Sequence, residues 1–115
     1  MLCVIFEVVI KKEHMNKYLG LATGLKEDLE SSEGFIRAER FASIQDDRKL
    51  LSLSVWESEE AVCRWRNRAK HRLSQRQGRD SLFESYTITV TEKLRQYTLT
   101  DRHEAPEDSN KEFGV

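Results

Sequence analysis

The sequence predicts an α+β domain, with four antiparallel strands and two helices in the order βαββαβ. Three observations carry this expectation. From Leu2 to Ile10 the chain is apolar at nearly every position, as in a strand covered on both faces. Two later stretches repeat apolar residues at spacings of three and four, the stripe of a helix packed along one side. Three further stretches are rich in β-branched and aromatic residues and are separated by turn-like breaks. The length, 115 residues, suits one domain.

In the first segment "MLCVIFEVVI", the even positions Leu2, Val4, Phe6, Val8 and Ile10 are all apolar, and among the odd ones only Glu7 breaks the run. "KKEHMNKYLGLATGLKEDLE" follows with Tyr18, Leu21, Leu25 and Leu29 on one helical face. Gly20 and Gly24 weaken that helix by about 1 kcal/mol each relative to alanine, a cost expected to bring close packing against a sheet. "SSEG" ends the helix, with Gly34 suited to a left-handed turn. Strands are expected in "FIRAERFAS" and "KLLSLSVW", parted by "IQDDR". In the second of these, Leu51, Leu53 and Val55 share one face, and Ser52 and Ser54 share the other. Ser58 reads as an N-cap, with Glu59 and Glu60 in a first turn that favours anions. Ala61, Val62, Trp65, Ala69 and Leu73 form that helix's apolar stripe, and Gly78 ends it. "SLFESYTITVTEKLRQY" is expected to be one long last strand. The domain thus spans 1–97, and 98–115 reads as a polar tail, flexible or packed on a partner subunit.

Right-handed crossovers place both helices on one side of the antiparallel sheet, a ferredoxin-like layer. The other sheet face is then bare, yet the first strand is apolar on both sides. A second copy of the sheet packed there resolves the conflict, so a homodimer is expected. The lean apolar content, 38%, points the same way.

Lys plus Arg number 19 and Asp plus Glu 20, a net charge of −1 that disfavours a dedicated nucleic-acid binder. The basic run "WRNRAKHRLSQRQGR", together with Arg64 just before it, sets Arg64, Arg68, Arg72 and Arg76 at every fourth place, flanked by Glu57, Glu59, Glu60, Asp80 and Glu84, and reads as a solvated or subunit-bridging helix edge. Cys3 and Cys63 have no metal-type spacing and are expected to be reduced, buried thiols of a cytoplasmic protein. The first segment lacks a charged leader and a cleavage site and is too short to span a bilayer, so neither targeting nor membrane insertion is expected.

"LLSLSVWESEEAVCRWRNRAKHRLSQRQGR" followed by "LFESYTITVTEKLRQY" resembles the antibiotic biosynthesis monooxygenase (ABM) domain family, whose fold is the dimeric α+β barrel. The tail "DRHEAPEDS" is similar to that of a bacterial subgroup. The resemblance implies a pocket between sheet and helices in each subunit. It also implies cofactor-independent oxygenation of an aromatic or quinol-like molecule by O2. A haem-degrading branch carries an asparagine on the first strand, a tryptophan on the second helix and a histidine beyond it. Trp65 stands at the tryptophan, but His71 lies nearer to it than in that branch and Glu7 stands at the asparagine. Haem is therefore not the favoured cofactor.

His71 and Glu7 are the candidate catalytic residues, and Trp65, Phe6 and Arg79 the candidate substrate contacts. On an unbroken helix His71 lies off the apolar stripe; a break near residues 67–70 would turn it toward the pocket, where a neutral imidazole could take a proton. Trp65 serves as core packing, as a substrate wall, or as both. Glu7 and Glu84 share strand parity with apolar residues, so each is expected in an ion pair with Arg37, Arg40 or Arg95, or as a carboxylate of raised pKa. Arg79 is the expected donor to an anionic substrate group. No phosphate-cradling loop, metal cluster or serine elbow occurs, and a cofactor-free oxygenase needs none. A non-catalytic dimer binding a small apolar ligand or haem is the alternative, with a nucleic-acid-binding basic helix a third reading.

Overall fold

Strand β1 (Leu2–Ile10) runs through the sheet interior, with β3 (Lys49–Trp56) on one side and β4 (Phe83–Glu92) on the other. β2 (Phe35–Ala42) closes the sheet beyond β3, giving the antiparallel order β2-β3-β1-β4. This computed structural model describes the backbone of residues 1–75 and 82–112 and the side chains of residues 1–69 and 82–111. Helix α1 (Met15–Glu30) follows a short 3-10 turn, α2 (Glu59–Gln75) links β3 to β4, and α3 (Glu107–Glu112) lies in the tail. The architecture is the expected α+β, ferredoxin-like one.

Register sorts the side chains by face. Val4 lies opposite Ser54 and Val90, and Ile5 opposite Leu53 and Thr89. The even residues of β1 meet the helices, forming two core clusters at opposite ends of the sheet. One joins Val8, Ile10 and Tyr18 with Phe6, Met15, Ala22, Leu50 and Phe83. The other joins Trp56, Ala61 and Val62 with Leu2, Val4, Leu29, Phe35 and Trp65. The odd residues Cys3, Ile5 and Val9 lie on the face opposite the core clusters beside Leu51 and Leu53, all half-buried, while Val55 on that face is buried.

Local chemistry accounts for the joints. Gly34 has φ +84, and its carbonyl accepts a hydrogen bond from the Glu57 N–H at 2.8 Å, tying the end of β3 to the turn before β2. The Ser43 hydroxyl accepts from the Gln45 and Asp46 N–H groups in the 44–48 turn, and Asp46 Oδ1 accepts from the Arg48 N–H. Ser58 caps α2, its Oγ accepting from the Ala61 N–H at 3.2 Å.

Three expectations are corrected. β4 ends at Glu92 rather than Tyr97, because its neighbour β1 begins at Leu2, opposite Glu92, and a last bond from the Lys93 N–H to the Met1 carbonyl exhausts the pairing. Gly20 packs on nothing: a Cβ there would meet no atom within 4 Å. Cys3 and Cys63 are free thiols but half-buried, Cys3 because it faces the helix-free side and Cys63 because it sits on a flank of α2.

The tail bonds largely to itself. Asp101 donates its N–H to Thr98 Oγ1 at 2.8 Å, and the Arg102 guanidinium lies 5.0 Å from the Tyr97 ring centre. Arg102 also donates through Nε to Asn110 Oδ1, and Lys93 pairs with Glu104 at 3.5 Å. Among the described residues no helix is long and apolar enough to cross a membrane.

Candidate functional site

Where the two core clusters meet, the helix side of the sheet carries a band that includes several small side chains. Its rows, read from β2 to β4, are Ala38, Ser54, Val4 and Val90, then Arg40, Ser52, Phe6 and Ile88. The serines arise from the alternation in "LSLSVW": Leu51 and Leu53 turn to the helix-free face, so Ser52 and Ser54 turn to the helices. These serines fill less volume than leucines would at the same places. Ile88 and Val90 are 54% and 51% exposed, an open apolar rim on the edge strand.

Aromatic rings bound this band at both ends. Phe6 meets Phe83 and Tyr86 at centroid distances of 6.1 and 5.7 Å, and Tyr18 meets Phe83 at 5.7 Å. At the far end Trp65 stacks on Trp56 at 6.3 Å, and Trp56 Nε1 donates to Ser54 Oγ at 2.9 Å. Trp56 is fully buried, whereas Trp65 keeps partial exposure at the boundary of the band. Burial pushes the Tyr18 phenol above its ordinary value, and the nearby Arg40 guanidinium opposes that rise in part. Tyr18 is thus a neutral hydrogen-bond donor across the physiological range.

The site residues expected from sequence divide accordingly. Phe6 and Trp65 lie on the same, helix-covered side of the sheet. Glu7 lies on the opposite side, so one protomer does not bring it to them. Its carboxylate pairs with Lys49 Nζ at 3.7 Å and borders a shallow hollow of ≈ 130 Å³ with Val9, Lys49, Ser85, Tyr86 and Thr87. Glu84 pairs with Arg48 at 2.8 Å. Within one protomer neither carboxylate takes Arg37, Arg40 or Arg95, the partners expected across strands or subunits, and neither is buried. His71 lies on α2, which runs unbroken through residues 67–70, so the break that a pocket-facing His71 would require is not present there. The His71 side chain and Arg79 lie outside the described residues.

Within the basic run, Arg64 and Arg66 are exposed, and Arg68 reaches Asp28 of α1 at 3.6 Å, joining the two helices. Among the described residues no three His, Cys, Asp or Glu side chains gather as a metal site would require. Sequence reasoning did not place Arg40 and Ser52 in one row with Phe6, or Tyr18 in the core cluster that Phe6 joins. The period-two pattern of "RAERFA" against "LSLSVW" was the signal, but it becomes a row only once the β2–β3 register is known.

Comparison with known proteins follows the same geometry. The antibiotic biosynthesis monooxygenase family profile matches residues 1–77. A jasmonate monooxygenase of Pyricularia oryzae is 37% identical over 90 residues, which are 78% of this chain and 42% of that protein. This chain therefore spans less than half the length of that relative. Among solved structures, Rv0793 from Mycobacterium tuberculosis superposes with a TM-score of 0.73 at 16% identity, covering 84% of this chain and 98% of that one. A variant of SnoaB, a cofactor-independent oxygenase from Streptomyces nogalater, superposes with a TM-score of 0.70 at 11% identity, covering 86% and 96%. At such identities the structures speak to the fold, and the sequence match speaks to the family. This chain belongs to the antibiotic biosynthesis monooxygenase family.

Proposed function

We propose that this protein is a small oxygenase that needs no cofactor and acts on an aromatic or quinol-like molecule with O2. The observation that carries the reading is the band on the helix side of the sheet, with apolar walls from Phe6, Val4, Ile88 and Val90, small Ser52 and Ser54 at its floor, and Trp65 at one end. Such a surface accepts a flat apolar molecule and excludes water from it. Oxygenation of an anthrone-type methylene balances without a helper. A base takes one C–H proton, the carbanion reduces O2 and bonds to it, and the peroxide loses water as the O–O bond breaks. One oxygen becomes the product carbonyl and the other leaves as H2O.

Glu7 is on the wrong face for that proton within one protomer; the proposed base is His71, which would have to reach the band from beside the apolar stripe of the unbroken α2. Phe6 and Trp65 would line the substrate, with Arg79 near an anionic group. We further propose that the working form is a homodimer sealed over the half-buried Cys3, Ile5, Val9, Leu51 and Leu53. The relative named for jasmonate favours a second substrate class, an apolar carboxylate, for the same band.

Oxygen uptake with a panel of anthrones and quinols, in the presence of a metal chelator, tests the reading. Turnover is expected, and His71→Ala should lower kcat by about 10²–10⁴-fold. No uptake with any member of the panel overturns the oxygenase reading; uptake that His71→Ala leaves unchanged removes His71 as the base.

A further inference from the structure

Arg40 is a cation placed where an apolar site has no structural use for one. It stands on the helix-facing side of β2, in register with Ser52 and Phe6, so the small Ser52 side chain is all that separates it from the aromatic wall within its row. Among the described residues no carboxylate pairs with it, whereas Arg48 and Arg68 each have one. Its charge reaches the buried Tyr18 phenol strongly enough to perturb that group. Arg40 itself is exposed, so it sits at the mouth rather than in the core.

We propose that Arg40, with the Tyr18 hydroxyl and Ser52, forms the anion-recognising end of the site and selects small apolar molecules that carry a carboxylate. The inference rests on the reading of the Phe6–Ser52–Ser54–Trp65 band as the substrate site. A guanidinium matches a carboxylate with two parallel N–H donors, and neutral hydroxyls beside it donate to the same oxygens. The exposed position leaves the anion partly hydrated, which keeps its desolvation cost low while the apolar body lies on Phe6 and Ile88. The opposite rim, Ile88 and Val90 on β4, carries no charge, so the row orients its ligand with the carboxylate toward β2.

Calorimetric titration with cinnamate and methyl cinnamate, a pair that differs in charge and not in its apolar body, tests the assignment. The wild-type protein is expected to bind cinnamate about tenfold more tightly than the ester. Arg40→Gln should remove that preference by weakening cinnamate alone, and Arg40→Lys should restore part of it. Circular dichroism of Arg40→Gln should match wild type, because the residue is exposed. An acid preference that persists in Arg40→Gln overturns the role of Arg40 while leaving the band as a site. Equal binding of acid and ester by wild type also overturns it. Failure of both probes to bind wild type overturns the reading of the band, and the inference with it.

Discussion

Gly34 shows how much one position can decide. Its backbone occupies the left-handed region at φ +84, and a Cβ built there would lie 2.5 Å from Ala61 Cβ on α2. A side chain thus meets two penalties, about 1–2 kcal/mol for the backbone and about 1–3 kcal/mol for overlap. Gly34→Ala is expected to destabilise the fold by about 2–4 kcal/mol in urea unfolding; a change below 0.5 kcal/mol, the size of an ordinary surface substitution, would show that the turn relaxes freely. At this scale the sequence was only partly legible. Gly34 announced its turn through its place after "SSE", and Ser58 its cap through the acidic residues that follow. Arg40 announced nothing, because an arginine in a charged strand reads as surface until its row partners are known.

At the scale of elements, the helices and strands follow from periodicity, and their ends follow from neighbours. α1 buries Tyr18 and half-buries Ala22, Leu25 and Leu29, while Gly20 lies on its exposed side with no atom close by. The glycine therefore has a helix-propensity cost without a packing benefit. Gly20→Ala should raise stability by about 1 kcal/mol, read as an increase of about 4 °C in Tm. A lowered Tm would mean that the glycine serves a contact made outside the protomer. β4 teaches the complementary lesson. Its alternating pattern continues past Glu92 to Leu94, but pairing stops where β1 begins. Alternation reports which residues could form a strand, and the partner's length reports which do.

For the whole molecule the question is what covers the second face of the sheet. α1 and α2 lie on one side, leaving Ile5, Val9, Leu51 and Leu53 half-buried on the other, with Phe41 43% exposed beside Leu51. Apolar area of this kind is withdrawn from water most simply by a second sheet. Leu53 pairs with Ile5 and Glu39 near the middle of the face. Leu53→Lys would bury an unpaired charge in the dimer and place it in water in the monomer. Sedimentation at micromolar concentration should give a dimer for wild type and a folded monomer for the variant. A monomeric wild type would sink the homodimer, and a variant that stays dimeric would remove this face as its interface.

The order of elements, the two faces of β1, the cap at Ser58 and the turn at Gly34 were determined by the sequence alone. Each depends on residues near one another in the chain, where period, volume and φ preference act directly. Tertiary structure decided the rest: that the even face of β1 is the one the core clusters use, and that Arg40, Ser52, Phe6 and Ile88 share one row. Strand register links residues far apart in the chain, and a slip of one residue exchanges every side chain between faces. Composition carries no record of that choice, which is made only when the strands pair.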